Sequence, residues 1–133
     1  MELSLSIRAD EGLLYATYTG EFSLVAAEKT FLQILEGIEQ HNVQKVIVDG
    51  SAITGEPSTL ERFLYGEFVA ERANALRART MLFPRFAYIL IPPVRDPNRL
   101  GENVAFNRGM IVNTFENLND ALEWLELDSS KEE

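Results

Sequence analysis

Few residues in this chain can carry covalent chemistry. Its 133 residues include no cysteine and one histidine, His41. Thiol nucleophiles, disulfides and thiolate metal sites are excluded, as are sites built from several histidines. Imidazole acid–base chemistry would rest on His41 alone. That residue falls where a helix is expected to end, and an imidazolium there meets the negative end of the helix dipole, so it reads as a C-terminal cap. Asp49 and Glu56 stand in one expected loop. A carboxylate pair can hydrolyse a bond only at a defined separation and with pKa values pushed apart, and spacing alone displays neither. Neither G-x-G-x-x-G nor G-x-x-x-x-G-K occurs, so no glycine-rich phosphate cradle is present. No nucleophile–base set assembles. The expectation is a non-enzymatic protein with no cofactor and no metal.

Binding chemistry is better represented. Pro92 to Arg99 is rich in proline and arginine, with Arg95 and Arg99 on either side of Asp96-Pro97. The planar guanidinium suits carboxylate and phosphate. Ser58-Thr59-Leu60-Glu61 reads as a capping box, the serine hydroxyl taking the backbone N–H of Glu61 while Glu61 reaches back. Both segments lead into helix N-termini, where free N–H groups and the dipole favour an anion. The N–H groups near Thr59 and the guanidinium groups of Arg95 and Arg99 are therefore expected to converge on one carboxylate or phosphate. The competing reading makes Asp96 a helix cap and both arginines surface residues.

The elements that must position these groups follow from periodicity. Leu3, Leu5 and Ile7 alternate with polar residues, giving a half-buried strand. Asp10-Glu11-Gly12 turns the chain into a second, β-branched and aromatic strand over 14–19, ended by Gly20. Ser23 caps a helix whose apolar stripe is Leu24, Ala27, Phe31, Ile34, Leu35 and Ile38, ending near Asn42. Val46-Ile47-Val48, ending at Asp49-Gly50, is short and wholly apolar, as a strand covered on both faces would be. A loop spans 51–57. A long amphipathic helix then runs toward Arg79, carrying Phe63, Leu64, Tyr65, Phe68 and Val69, with Leu82-Phe83-Pro84 beyond its end. Phe86 to Ile91 is a further buried strand, closed by Pro92-Pro93. Asp96 is the expected N-cap of a short helix with Pro97 at its first position, stopping near Gly109. Met110 to Phe115 is the last strand. Asn117 caps a final helix in which Trp124 packs into the core. The order β-β-α-β-α-β-α-β-α predicts an α/β fold: a mixed sheet of about five strands with an edge hairpin, parallel crossovers and about four helices. Residues 1–127 are expected to form one domain, followed by a polar tail over 128–133.

Composition bounds the partners. Apolar residues make up 46% of the chain and charged residues 25%, ordinary values for a globular protein. The net charge is -9, which argues against nucleic acid. Eight of the nine arginines lie between Arg62 and Arg108, against four acids there. The plain reading of that excess is a solvated, ion-paired helix face. The first residues show no basic run followed by an apolar one, and no stretch nears 18 apolar residues, so neither a signal peptide nor a membrane span is expected. The expected location is cytoplasmic, at most peripheral to a membrane.

Three pieces in order carry a resemblance: Thr19-Gly20-Glu21-Phe22-Ser23, Lys45 through Ser51, and Val112 through Leu125 with its Ala121 and Trp124-Leu125. Together they resemble the SpoIIAA-like family of small bacterial proteins, which has the STAS fold of anti-sigma-factor antagonists and is similar to CRAL-TRIO lipid-binding domains. The resemblance implies a non-enzymatic binding or regulatory module, taking a small amphiphilic or anionic ligand or associating with a membrane surface. By analogy with the lipid-binding relatives, Phe63, Leu64 and Phe68 would form a lid or line an apolar pocket. By analogy with STAS antagonists, Ser58 or Thr59 would be phosphorylated and the protein would regulate a protein partner, in some arrangements as a homodimer. Pro57 stands before Ser58 where those antagonists carry an acidic residue, and Pro92 to Arg99 matches no family motif.

Overall fold

The computed structural model describes residues 1–127; the polar tail expected over 128–133 lies outside the described residues. β1 (Glu2–Arg8) and β2 (Leu13–Glu21) form the antiparallel edge hairpin. β3 (Lys45–Thr54), β4 (Arg85–Ile89) and β5 (Ile111–Phe115) follow in parallel with β2, and the sheet order is β1-β2-β3-β4-β5. The α/β fold read from the sequence is the one observed: five strands in a mixed sheet and four helices, α1 (Leu24–His41), α2 (Thr59–Thr80), α3 (Leu100–Asn107) and α4 (Leu118–Trp124).

The strand order never reverses, so the three crossover helices lie on one face. Leu14, Ala16 and Tyr18 of β2, Val46 and Val48 of β3, and Phe86 and Tyr88 of β4 share a core with Phe31, Ile34 and Ile38 of α1, Val69, Ala73 and Leu76 of α2, and Ala105 of α3. The intervening residues Leu13, Ile47, Ala87 and Ile89 point the other way, onto Ala121, Leu122 and Leu125 at α4. β3 and β4 are thus covered on both faces, and that is why their apolar runs do not alternate. Phe31 and Phe86, both fully buried, meet with ring centroids 5.6 Å apart at the centre of the larger core.

Helix ends obey their local sequence. The Ser23 and Asn117 side chains accept from Ala26 N and Asp120 N. The Ser58–Glu61 capping box is complete, with Glu61 N donating to Ser58 Oγ (3.1 Å) and Ser58 N donating to Glu61 Oε1 (2.8 Å). α1 stops at Asn42, which adopts the left-handed conformation that asparagine tolerates.

Four boundaries differ from expectation. Gly20 does not end the second strand; β2 continues because Thr19, Gly20 and Glu21 pair with Ala52, Ile53 and Thr54. The same pairing draws β3 out to Thr54, so the loop expected from Ser51 begins only after it. β4 closes at Ile89, and Leu90 N instead donates to Phe115 O (2.9 Å). Asp96 is not the N-cap of α3 and Pro97 is not its first residue: the helix starts at Leu100 behind a left-handed Arg99. The Asp96 carboxylate nevertheless serves that helix end, accepting from Asn98 N and Leu100 N, both at 3.0 Å.

Candidate functional site

A cavity of about 120 Å³ lies between the sheet and the three helices of the larger core. Its floor comes from alternate residues of the strands: Tyr18, Val48, Tyr88 and Val112. α2 presents Arg62, Tyr65, Gly66 and Val69, residues spaced i, i+3, i+4 and i+7 and so on one face. α3 adds Gly101, Glu102 and Ala105, and the loop after β4 adds Val94, Arg95, Asp96 and Arg99. The interior is apolar except for phenols. The rim carries three arginines.

Close helix packing shapes this space. A Cβ at Gly66 would come within 2.5 Å of the Gly101 carbonyl oxygen, and one at Gly101 within 3.0 Å of the Arg62 carbonyl. α2 and α3 therefore touch backbone to backbone, which sets α3 and its Glu102 against the cavity wall. Only glycine permits that approach.

Three tyrosines gather on the cavity. The Tyr65 and Tyr88 hydroxyls are 2.9 Å apart, and the Tyr18 hydroxyl is 2.9 Å from the Thr30 hydroxyl. Burial pushes the Tyr18 phenol up to about 12. Burial, together with repulsion from neighbouring phenolates, raises Tyr65 and Tyr88 further. All three are neutral at physiological pH. Two hydroxyls sharing one hydrogen bond leave one O–H as a donor to something else.

Arg62, which the sequence reading did not single out, organises the rim. Its Nε donates to Pro57 O (3.1 Å), and its two terminal nitrogens donate to Val94 O and Pro93 O (both 2.9 Å). One side chain thus ties the loop after β4 to the first turn of α2. It also faces Asp96, whose pKa is held below the usual carboxylate range chiefly by the Leu100 N–H, then by the Asn98 N–H and Arg62.

The arginines expected at a site divide between two places. Arg95 and Arg99 both border the cavity. Thr59 does not; it lies with Ser58 and Arg95 in an outer groove beside Pro92 and Pro93. Of the three residues expected to converge on one anion, only Arg95 borders both spaces, Thr59 lying on the groove and Arg99 on the cavity. Arg95 donates to Glu116 (3.2 Å), and its Nε is buried with no hydrogen-bond partner. Arg99 Nε stands 3.9 Å from Glu102, whose carboxylate is almost buried and accepts from the Thr114 hydroxyl (2.6 Å) and N–H (3.2 Å).

Phe63, Leu64 and Phe68 do not line the cavity. They fall on other sides of α2, where the Arg108 guanidinium lies over Phe63 and that of Arg72 over Phe68. Helical period decides this: the cavity stripe passes through 62, 65, 66 and 69, not 63, 64 and 68. Most of the clustered arginines are occupied similarly. Arg77 covers Phe83, Arg85 covers Trp124, Arg79 pairs with Glu39 and Arg108 with Glu67.

Asp49 and Glu56 do not form a pair. Asp49 lies within β3, accepting from the Tyr15 hydroxyl (2.9 Å) and from Ser51 N and Oγ, whereas Glu56 sits on the exposed loop and borders the outer groove. His41 is exposed at the last residue of α1. Among the described residues no group of three or more histidines, cysteines or carboxylates is placed to hold a metal ion. No described helix is long and apolar enough to cross a membrane.

The sequence matches no protein-family model, and no curated protein matches it.

Proposed function

We propose that the protein is a non-enzymatic binding module that takes a small amphiphilic anion into the cavity between its sheet and its crossover helices. The observation that carries this reading is the pairing of an apolar, phenol-lined interior with a rim containing Arg95, whose buried Nε lacks a partner. A buried donor without a partner costs about 1–3 kcal/mol, and an anionic headgroup would supply the missing acceptor while its apolar part fills the interior. The likeness to SpoIIAA-like and CRAL-TRIO proteins is in keeping with such a role. Native mass spectrometry of the purified protein tests it, since a co-purified ligand and the number of subunits are read together. Thermal unfolding with a panel of alkyl carboxylates, phosphates and alcohols extends the test. No bound species, and no member of the panel raising the Tm, would remove the reading.

A second reading rests on a different feature. Ser58 and Thr59 are both exposed at the start of α2. A phosphate on Ser58 would stand against the Glu61 carboxylate that closes the capping box and would open that helix end by like-charge repulsion. The protein would then be a regulator of a protein partner, switched at Ser58 or Thr59. Phosphopeptide mapping of the protein from its own cells decides this; unmodified peptides under every growth condition would dismiss it. Peripheral membrane association belongs to the first reading, with a lipid as the amphiphile, and sedimentation with vesicles tests it.

A further inference from the structure

The rim of the cavity states what kind of anion it can neutralise. Three guanidinium groups, Arg62, Arg95 and Arg99, and two carboxylates, Asp96 and Glu102, border the cavity, while Glu116 and Asp120 lie in a groove that shares Arg95, Arg99 and Thr114 with it. Arg62 uses three of its five N–H donors on backbone carbonyls. Arg99 sits by Glu102, which is only 10% exposed and fixed by Thr114. Glu116 differs, being 60% exposed and held by one 3.2 Å contact to Arg95. An exposed ion pair of this kind is worth little, so Glu116 can turn to water at low cost. Its departure frees Arg95, already carrying an unused Nε–H, to face one incoming negative charge. One charge is then balanced. A second would stand unpaired beside Asp96 and Glu102.

The interior sets the size of the rest. An apolar cavity of about 150 Å³ holds one benzene ring, and this one measures about 120 Å³. The part of the ligand inside the cavity is therefore small, about six carbons by that comparison.

Building on the amphiphile reading above, we propose that the ligand is a small monocarboxylate with a short apolar or single-ring body, its carboxylate bound by Arg95 in exchange for Glu116. A planar carboxylate matches the guanidinium fork. A phosphate monoester carries nearly two charges at neutral pH and exceeds what the rim can balance.

The test is calorimetric titration of the full chain at pH 7 with hexanoate, benzoate, hexyl phosphate and 1-hexanol. Hexanoate or benzoate should bind at least tenfold more tightly than hexyl phosphate or hexanol. Arg95→Gln should weaken the carboxylates about tenfold to a hundredfold, the loss of one charged hydrogen bond. Glu116→Gln removes the competitor and should tighten them severalfold. Equal or tighter binding of hexyl phosphate or hexanol overturns the monocarboxylate assignment and leaves the amphiphile reading standing. No binding by any of the four overturns both. Circular dichroism checks that Arg95→Gln is folded, and an unchanged affinity in the folded variant removes Arg95 from the site. Should that variant not fold, Glu116→Gln decides alone: its side chain lies mostly in water, and unchanged or weaker hexanoate binding overturns the exchange.

Discussion

Arg62 reaches three carbonyl oxygens with one guanidinium, and this places the loop that holds Arg95 and Arg99. The carbonyls of Pro93 and Val94 lie more than 30 residues along the chain from Arg62. No spacing rule links a side chain to backbone acceptors so far away, so its role was not legible in the sequence. Arg95 and Arg99 were legible as arginines beside a turn, but their partners were not. The capping box was fully legible, because donor and acceptor lie three residues apart. Replacing Arg62 by Lys keeps the charge and loses the fork, since one ammonium cannot span three carbonyls in this arrangement. Arg62→Lys and Arg62→Ala should both destabilise the protein, by about 1.5–3 kcal/mol, in urea unfolding. Amide exchange at Arg95, whose N–H donates to Ile91 O, should quicken in both. Unchanged exchange there, with Arg62→Lys as stable as the parent, would show that the loop holds itself. At Ser58, truncation to Ala removes the hydroxyl that Glu61 N donates to. A loss of about 1 kcal/mol is expected, read from the midpoint of the same unfolding curve.

Elements were legible where one local pattern decides them, and less so where a neighbour does. Periodicity placed all four helices and five strands. It could not see that β2 and β3 extend each other: Thr19 to Glu21 and Ala52 to Thr54 are strand because they pair. The close crossing of α2 on α3 was equally hidden, since Gly66 and Gly101 show no motif that predicts their meeting. That crossing separates two otherwise similar substitutions. Gly66→Ala pushes a methyl group toward the backbone of α3, which cannot move without shifting Glu102 and the cavity wall. Overpacking of this kind costs about 1–3 kcal/mol. Gly37→Ala, within α1, meets the Cδ1 of Leu14 at 2.9 Å and that of Leu5 at 3.9 Å, both far ends of side chains and neither of them backbone. Alanine also gains about 1 kcal/mol of helix propensity over glycine. Gly66→Ala should therefore lower the unfolding midpoint while Gly37→Ala leaves it unchanged or raises it. Equal losses in both would mean that the α2–α3 contact has room to relax. The same gap explains why Phe63, Leu64 and Phe68 suggested a pocket. Bulk marks them in the sequence, whereas the cavity follows the stripe of Tyr65, Gly66 and Val69.

At the scale of the molecule, a sheet whose order never reverses puts three helices on one face and leaves α4 to cover the other. The cavity forms under the larger layer, at the carboxyl ends of the parallel strands, and there the fold buries phenols. All four tyrosines have raised pKa values. For Tyr15 the causes are burial first, then the hydrogen bond and charge of Asp49, which bring it to about 12; Tyr18 reaches about 12 through burial. Folding thus favours the protonated phenols, whereas an unfolded tyrosine ionises near 10. The stability from this preference is fully present below pH 10 and is lost as the pH rises toward 12, because the unfolded chain then binds fewer protons than the folded one. Asp96 acts in the opposite direction. Its lowered pKa contributes stability above the ordinary carboxylate value of 3.8, lost as the pH falls through the folded value, and the turn before α3 loosens in acid. Absorbance at 295 nm during an alkaline titration checks the larger effect. Tyrosinate should be nearly absent at pH 10, where free tyrosine is half ionised, and should then appear together with the loss of far-ultraviolet ellipticity. Four phenols titrating near pH 10 with the fold intact would mean that the tyrosines are in water, and the cavity lined by Tyr18, Tyr65 and Tyr88 would not be the apolar space on which the ligand assignment depends.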